Sequence, residues 1–146
     1  MGDHSKYTVF ILILFFTSIS LGREIFVDNQ LTDDCSGNYS IASRDCSGSD
    51  ADAYVTIEDA AAASAAGDPV YIRSGTYSPA ARIYFSSKSG TGVEAKITLT
   101  SYNSEEVIID GTSTPTYTGY GLINVNSSDY VVLDGFKVQN YAQVGI

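Results

Sequence analysis

Short hydrophobic runs separated by Gly, Asn, Ser and Asp dominate the second half of the chain, and two of them nearly repeat. Residues 107–111 read VIIDG and residues 131–135 read VVLDG, an offset of 24 positions (131 − 107 = 24). The same offset relates residues 121–122 to 145–146 and leads back from residue 107 to the run IYF at 83–85. Runs rich in Val, Ile and Tyr predict strands. A fixed period of this length is typical of a solenoid, in which each repeat buries its apolar side against its neighbours.

Further strand-like segments precede this repeat. In the segment at 96–100, alternation places Ile97 and Leu99 on one face and threonines on the other. Residues 74–77 are expected to form a turn. The other predicted strands lie at residues 24–27, 70–73 and 82–85.

One helix is predicted over residues 56–66, where six of the side chains are alanine. Thr56 is placed to cap its N-terminus, with Asp59 three residues later in a capping box. Gly67 is a suitable residue just after the helix, and the Asp68-Pro69 pair cannot continue it. We expect this helix to cover the open end of the solenoid core.

A polar segment at residues 28–53 contains both cysteines of the chain, Cys35 and Cys46. In a secreted protein such a pair is expected to form a disulfide bond, which would hold the segment in place. Five of the six aspartates in this segment invite a calcium hypothesis, although their spacing matches no EF-hand loop. A solvated loop is the alternative explanation for Asp33, Asp34, Asp45, Asp50 and Asp52.

Residues 1–22 carry Lys6 before an apolar run at 9–16 and small residues up to Gly22, a pattern that predicts a secretory signal peptide. A membrane anchor is the alternative, although the apolar run is shorter than a spanning helix needs. The formal net charge of −9 argues against nucleic acid and anionic membranes as partners. The only histidine, His4, lies in this leader, so triads with a histidine base are excluded from the rest of the chain. We therefore expect an extracellular protein that has no contact with a membrane after cleavage.

The order of these segments resembles the N-terminal part of secreted right-handed parallel β-helix proteins of the pectate-lyase-like superfamily. The resemblance covers residues 24–146. It is carried by Phe26-Val27, the helix that Thr56-Ile57 opens and Gly67-Asp68 ends, and the runs VYIRSGTY (70–77), KITL (96–99), VIIDG (107–111) and YVVLDGF (130–136).

The resemblance implies an all-β fold, a right-handed parallel β-helix or solenoid with an N-terminal capping helix. Residues 1–22 would be the signal peptide, and residues 23–68 the first strand, the disulfide loop and the capping helix. Residues 69–146 would form the first coils of an incomplete β-helix. A small β-sandwich is the alternative, with the two Asp-Gly pairs as hairpin turns.

Two functions stay open. The resemblance implies the N-terminal part of a polysaccharide-active, lyase- or epimerase-like protein that acts on an extracellular polysaccharide, often with calcium as cofactor. Its catalytic residues would lie in later coils, so this chain alone is expected to be inactive. The alternative is a non-catalytic extracellular or cell-surface module for glycan binding or adhesion.

Three residues of the repeat are candidates for chemistry. Asp110 and Asp134 occupy the same position in the two copies, so they are candidates for paired carboxylates. The alternative is that Asp-Gly ends each strand because both residues favour turns. Lys137 is a candidate base if burial lowers its pKa, and a solvated residue otherwise.

The remaining candidates concern carbohydrate. Arg73 and Arg82 are candidates for binding a uronate carboxylate, because a guanidinium group offers a two-pronged donor. A simple surface role is the alternative for both. Tyr117 and Tyr120 are candidates for stacking on sugars, or pack their own loop.

Two Asn-x-Ser sequences, which begin at Asn38 and Asn126, are acceptor patterns for N-glycans in a eukaryotic secretory pathway. In a bacterium the same short matches would have no consequence.

Overall fold

The computed structural model describes residues 22–116 and 118–146. Residues 1–21 of the predicted signal peptide lie outside this part of the chain. Short 3₁₀ turns occupy Tyr102–Ser104 and Gly111–Ser113. The remaining elements, in chain order, are β1 (Ile25–Val27), β2 (Cys35–Tyr39), β3 (Ala51–Tyr54), α1 (Ile57–Ala63), β4 (Pro69–Ile72), β5 (Gly75–Tyr77), β6 (Ile83–Tyr84), β7 (Ile97–Ser101), β8 (Val107–Asp110), β9 (Ile123–Asn124), β10 (Val131–Asp134) and β11 (Lys137–Gln139).

These strands form three sheets. The largest has six strands in the order β10-β7-β4-β1-β3-β2, the second has the order β11-β8-β5, and the third pairs β6 with β9. The β2–β3 pair is antiparallel, whereas the other strand pairs described are parallel. The described chain is therefore a small domain of mixed sheets.

The predicted right-handed parallel β-helix is wrong, since the described residues contain no closed solenoid. The two copies of the apparent repeat belong to different sheets. Val107 pairs with Gly75 in the second sheet, 32 positions earlier (107 − 75 = 32). Val131 pairs with Ile97 in the first sheet, 34 positions earlier (131 − 97 = 34). Neither pairing uses the offset of 24 on which the solenoid prediction depended.

Local turn chemistry explains why the two segments look alike. Asp110 ends β8, and its carboxylate accepts a hydrogen bond from the backbone N–H of Thr112 in the following 3₁₀ turn. After Asp134, Gly135 adopts a φ of 74°, a left-handed conformation that glycine reaches without steric cost. An Asp-Gly pair thus ends a strand in both places for local reasons, and it carries no information about which strands pair.

The main core is built from the inward side chains of all three sheets. In β7, Ile97 and Leu99 are buried while Thr98 and Thr100 are partly exposed, which confirms the predicted alternation. Residues 74–77 were expected to be a turn, but residues 75–77 form β5, and Tyr77 is buried in this core. Other large buried members are Ile25, Ile57, Ile72, Ile83, Phe85, Ile109, Leu122 and Ile123.

Helix α1 begins as predicted, with the Thr56 hydroxyl accepting a hydrogen bond from the N–H of Asp59. It packs Ile57, Ala60 and Ala61 into the main core. The helix ends at Ala63, three residues earlier than predicted. Local bonds contribute to this end, because the Ser64 hydroxyl donates to the Ala61 carbonyl and the Ala65 N–H donates to Asp68, both at 2.9 Å. A tertiary contact adds to them, since the ammonium group of Lys88 donates to the carbonyl oxygens of Ala62 and Ser64, both at 2.7 Å. A cation at these carbonyls satisfies the acceptors that a further turn would have used.

The segment at 28–53 is more than a polar loop, because it builds a second core on the outer face of the largest sheet. Phe26 and Tyr39 are fully buried there, with ring centroids 5.2 Å apart. Cys35 and Cys46 form the predicted disulfide bond, with their Cα atoms 5.3 Å apart. The bond ties β2 to the turn that follows it, so the segment stays folded over Phe26.

Removing the disulfide should therefore lower stability without removing buried aromatic area. By the chain-entropy model, a loop of this size contributes about 3 kcal/mol to the free energy of unfolding. We expect the Cys35→Ser/Cys46→Ser double variant to unfold at a correspondingly lower urea concentration. Ser36→Ala, an exposed change on the same strand, serves as control. An unchanged urea midpoint in the double variant would contradict the structural role of the bond.

Candidate functional site

The outward face of the β6–β9 sheet carries an unusual group of side chains. Ile83 and Phe85 point into the main core and are fully buried. Alternation therefore places Arg82 and Tyr84 on the outer side, and Tyr84 pairs with Asn124 of β9. The backbone N–H of Phe85 donates to the carbonyl of Asn124 at 2.8 Å, so the two strands stay paired beyond Tyr84.

Arg82 lies between two tyrosine rings. Its guanidinium carbon is 4.9 Å from the ring centroid of Tyr84 and 4.8 Å from that of Tyr120. Both distances are typical of cation–π contacts. The tyrosines remain 44% and 50% exposed, so much of each ring faces solvent. We refer to Arg82, Tyr84 and Tyr120 as the Tyr–Arg cluster.

A shallow groove of about 380 Å³ adjoins this cluster and shares Tyr120 with it. The side-chain oxygen of Asn124 accepts hydrogen bonds from the Ser86 hydroxyl at 3.0 Å and the Asn126 backbone N–H at 3.1 Å. These bonds fix the orientation of the Asn124 amide. The residues that line the groove are Gly119, Tyr120, Gly121, Ile123, Asn124, Val125, Asn126, Val144 and Ile146, none of them charged.

This arrangement suits a ligand with both apolar and hydroxyl-bearing faces. Tyrosine offers a flat apolar ring with a polar end, and asparagine offers both donors and acceptors. The guanidinium of Arg82 adds a positive charge beside the two rings. A small number of polar groups around an apolar surface is typical of small-molecule and sugar sites.

Arg73, the other predicted carboxylate ligand, is already bound within the protein. Its Nε and Nη2 atoms donate to the Glu105 carboxylate at 3.1–3.2 Å. Its Nη1 atom donates to the Tyr39 hydroxyl at 3.0 Å and to the Ile41 carbonyl at 2.9 Å. The Arg73 guanidinium also lies 5.0 Å from the centroid of the Tyr102 ring. Arg73 therefore has a structural role.

The same hydrogen bonds continue into a closed ring of polar groups. The Tyr39 hydroxyl donates to the buried carboxylate of Asp28 at 2.7 Å, and Arg44 binds that carboxylate through two nitrogens at 2.6 and 2.8 Å. Arg44 also donates to the Ser74 hydroxyl at 3.1 Å, while the N–H of Ser74 donates to Glu105 at 2.6 Å. We call this closed set, with Arg73, the polar ring.

The polar ring shifts the pKa values of its members in directions set by their contacts. Burial alone would raise the pKa of Asp28, but the hydrogen bonds from Arg44 and Tyr39 outweigh it and hold the pKa below its usual range. Burial also opposes ionisation of Glu105, whose pKa is nevertheless lowered by Arg73 and the N–H of Ser74. Burial, together with the hydrogen bond to Asp28, raises the pKa of Tyr39 to about 12.

Asp110 and Asp134 are not brought together, because they end strands of different sheets. Asp110 accepts hydrogen bonds from the side chains of Thr112, Gln139 and Asn140. These contacts, with Thr112 the strongest, lower the pKa of the Asp110 carboxyl. Its role is thus to join two strand ends. Asp134 is exposed, as is Lys137 on β11.

The aspartates of the polar segment mostly accept hydrogen bonds from backbone N–H groups. Asp34 accepts from Val55, Asp50 from Ile41, and Asp52 from Gly37. Asp45 accepts a hydrogen bond from the backbone N–H of Ser47. Asp33 differs, because its donor is the hydroxyl group of the adjacent Thr32. Across residues 22–116 and 118–146, no group of three or more His, Cys, Asp or Glu side chains is placed to hold a metal ion. The Asp-rich composition is explained by the backbone donors of an irregular segment.

The two glycosylation sequences have different surroundings. The Asn38 side-chain amide donates to the Cys46 carbonyl at 2.9 Å, inside the disulfide loop. Asn126 is exposed and lines the groove.

Sequence reasoning identified Arg82 and Tyr120 as separate candidates but missed Tyr84 and Asn124. Tyr84 could have been found, because alternation within residues 82–85 already places it on the same side as Arg82. Asn124 could not, since β9 is two residues long and gives no periodic signal. Tyr117 lies outside the described residues.

No family model matches this chain, and no curated protein or solved structure matches it significantly. The resemblance to the pectate-lyase-like superfamily therefore stays a prediction. Among the described residues, no helix has the length and apolar character needed to cross a membrane.

The lowered pKa values of Asp28 and Glu105 predict a loss of stability in acid. A carboxyl group whose folded pKa is depressed stabilises the protein above its unfolded pKa, near 4, and loses this contribution as the pH falls through the folded value. We expect the urea midpoint to drop as the pH is lowered below about 4.

The Glu105→Gln variant tests the assignment to the polar ring. At neutral pH it should lose about 2 kcal/mol of unfolding free energy, because Arg73 loses a charged partner. Its acid dependence should also be shallower than that of the unchanged protein. Glu106→Gln removes an exposed charge from the next residue and should do neither. Equal urea midpoints for the two variants at neutral pH would refute the proposed role of Glu105.

Proposed function

We propose that this protein is a secreted, non-catalytic carbohydrate-binding protein that holds a polysaccharide against the Tyr–Arg cluster and the adjoining groove. The observation that carries the proposal is the position of Arg82 between Tyr84 and Tyr120. Two half-exposed rings are held there on one face of a sheet whose inward side chains are fully buried. The strand pairing and the two cation–π contacts position the rings before a ligand arrives, which reduces the conformational entropy lost on binding.

An extracellular location is supported by the Cys35–Cys46 bond, since disulfides persist mainly in oxidising compartments. The signal-like pattern at residues 1–22 favours the same location. Polysaccharides are abundant ligands outside the cell, and the cluster has the chemistry to bind one.

Charge favours a neutral or sparsely acidic glycan over a dense polyanion. The chain carries a net charge of −9, which repels polyanions at long range. The groove is lined by uncharged residues, and Arg82 is the one cation of the cluster. The single positive charge of Arg82 attracts an occasional carboxylate but cannot offset the repulsion along a fully charged chain.

The lyase- or epimerase-like activity implied by the resemblance stays a prediction without an assigned catalytic residue. Lys137 is exposed on β11, so the burial that its candidacy as a base required is absent. Arg73 is engaged by Glu105. Calcium stays a cofactor implied by the resemblance alone.

Binding should depend on both rings of the cluster. We expect Tyr84→Ala and Tyr120→Ala each to weaken binding to the best polysaccharide of a neutral and acidic panel by about fivefold, because each removes a stacking surface worth about 1 kcal/mol. Affinity electrophoresis or calorimetry would measure the change. Tyr130→Ala is the matched control, since Tyr130 is 49% exposed and does not line the groove. Equal losses in all three variants would contradict the assignment of the site.

The preference for neutral or sparsely acidic glycans can be tested at Arg82. Arg82→Gln should lower affinity for a sparsely acidic polymer more than for a neutral one. Fully acidic polymers such as alginate and pectate should bind the unchanged protein least well at low salt. Tight binding to these polyanions would contradict the proposal.

The chain should also lack lyase activity. Incubation with alginate, pectate or chondroitin is expected to produce no unsaturated uronates, which absorb in the ultraviolet. The non-catalytic assignment would be overturned if the unchanged protein and a Lys96→Ala variant both released unsaturated uronates and a Lys137→Ala variant did not. Lys96 is the control because it is also exposed.

A further inference from the structure

Asn126 joins two features that were separate in the sequence. It lines the groove, and it is the first residue of the sequence Asn126-Ser127-Ser128, an acceptor pattern for N-glycans. Its backbone is fixed, because its N–H donates to Asn124 and its carbonyl accepts from the N–H of Ser87. Its side chain is exposed, and none of the described residues forms a hydrogen bond with its amide group.

We propose that Asn126 carries an N-linked glycan and that this glycan controls access to the groove. The amide nitrogen of Asn126 would bond to C1 of an oligosaccharide supplied as a lipid-linked diphosphate by the secretory membrane. The bond from C1 to the diphosphate oxygen breaks, the lipid diphosphate leaves, and the amide nitrogen loses one proton. No oxidant or metal is consumed in this transfer.

The folded turn indicates when transfer takes place. The hydroxyl of Ser128, which the acceptor pattern requires, donates to the carbonyl of Phe85 and accepts from the N–H of Lys88 at 3.2 Å. In the folded protein this hydroxyl is therefore engaged. Transfer precedes closure of the turn, and the fold then tolerates the product because the Asn126 side chain faces solvent.

Asn38 provides an internal comparison. It lies between the disulfide-bonded Cys35 and Cys46, its amide donates to the carbonyl of Cys46, and the next residue, Tyr39, is fully buried. A glycan at Asn38 would be attached to a segment held by the disulfide and the polar ring, far in sequence from the groove. Replacement of Asn38 thus controls for general effects of losing an acceptor sequence.

The consequence for ligand binding rests on the proposed carbohydrate-binding function. A groove of about 380 Å³ with Asn126 in its wall cannot hold both an attached glycan and a polysaccharide ligand in the same volume. The glycosylated and glycan-free forms should therefore differ in affinity, while Tyr84 and Arg82 remain unchanged in both.

Mass spectrometry of secreted protein tests the modification. The full chain, and a version whose residues 1–22 are replaced by a leader native to the host, would be expressed in a eukaryotic secretory cell line. The second version ensures that a missing glycan is not caused by failed entry into the pathway. Asn126→Gln should lack a glycan that the unchanged protein and Asn38→Gln both carry. An Asn126→Gln variant with the same glycan mass as the unchanged protein would overturn the proposal.

Binding measurements test the control of access. Unchanged protein from these cells is expected to bind the panel's best polysaccharide at least about tenfold more weakly than glycan-free protein from a bacterial periplasm. Asn126→Gln should bind equally well from both hosts. Equal affinities of the two unchanged forms would refute the control of access even if Asn126 is modified. If neither form binds any polysaccharide, the proposed function and the control of access both fail, whereas the mass measurement still decides the modification.

Discussion

The carboxylate of Asp28 is fully buried, and the rest of the N-terminal half depends on how its charge is satisfied. An ion this far from water is tolerated only with several hydrogen bonds. Tyr39 and Arg44 supply them from the disulfide-bonded segment, so the position of that segment over Phe26 depends on its bonds to the carboxylate. Arg73 and Glu105 extend the same contacts to the ends of neighbouring strands. One buried charge thereby connects β1, the disulfide loop and β4.

The polar ring and the Tyr–Arg cluster show that the two candidate arginines have opposite roles. Arg73 is buried, with a carboxylate, a hydroxyl and a carbonyl as partners. Arg82 is only partly buried and is held between aromatic rings on the outside of a two-stranded sheet. A guanidinium in the first setting stabilises the fold, whereas one in the second setting lies against two partly exposed rings. Residue type alone does not distinguish these cases, because both arginines flank a short hydrophobic strand.

Features that depend on a few neighbouring residues were predictable. The alternation in β7, the start of α1 at its Thr56 cap, and the bond between Cys35 and Cys46 follow from local geometry and from chain connectivity. The end of α1 was misplaced because hydrogen bonds at Ser64 and Asp68 take groups that the next turn would use, and Lys88, 24 or more positions away, binds the carbonyls of Ala62 and Ser64. Strand β5 was taken for a turn because it has only three residues and begins with glycine, too short for an alternating pattern, and pairing with β8 makes it a strand.

The amino-acid sequence by itself determined the more hydrophobic strands and their apolar faces, where one helix begins and which cysteines can bond. The tertiary structure alone decided which strands pair, so the similar segments at Val107 and Val131 belong to different sheets. The reason is that Asp-Gly strand ends and alternating side chains are set within a few residues. Pairing, in contrast, is selected by the burial of all three sheets against one core. The same selection brought Arg82 between Tyr84 and Tyr120 and placed Asn126 in the wall beside them.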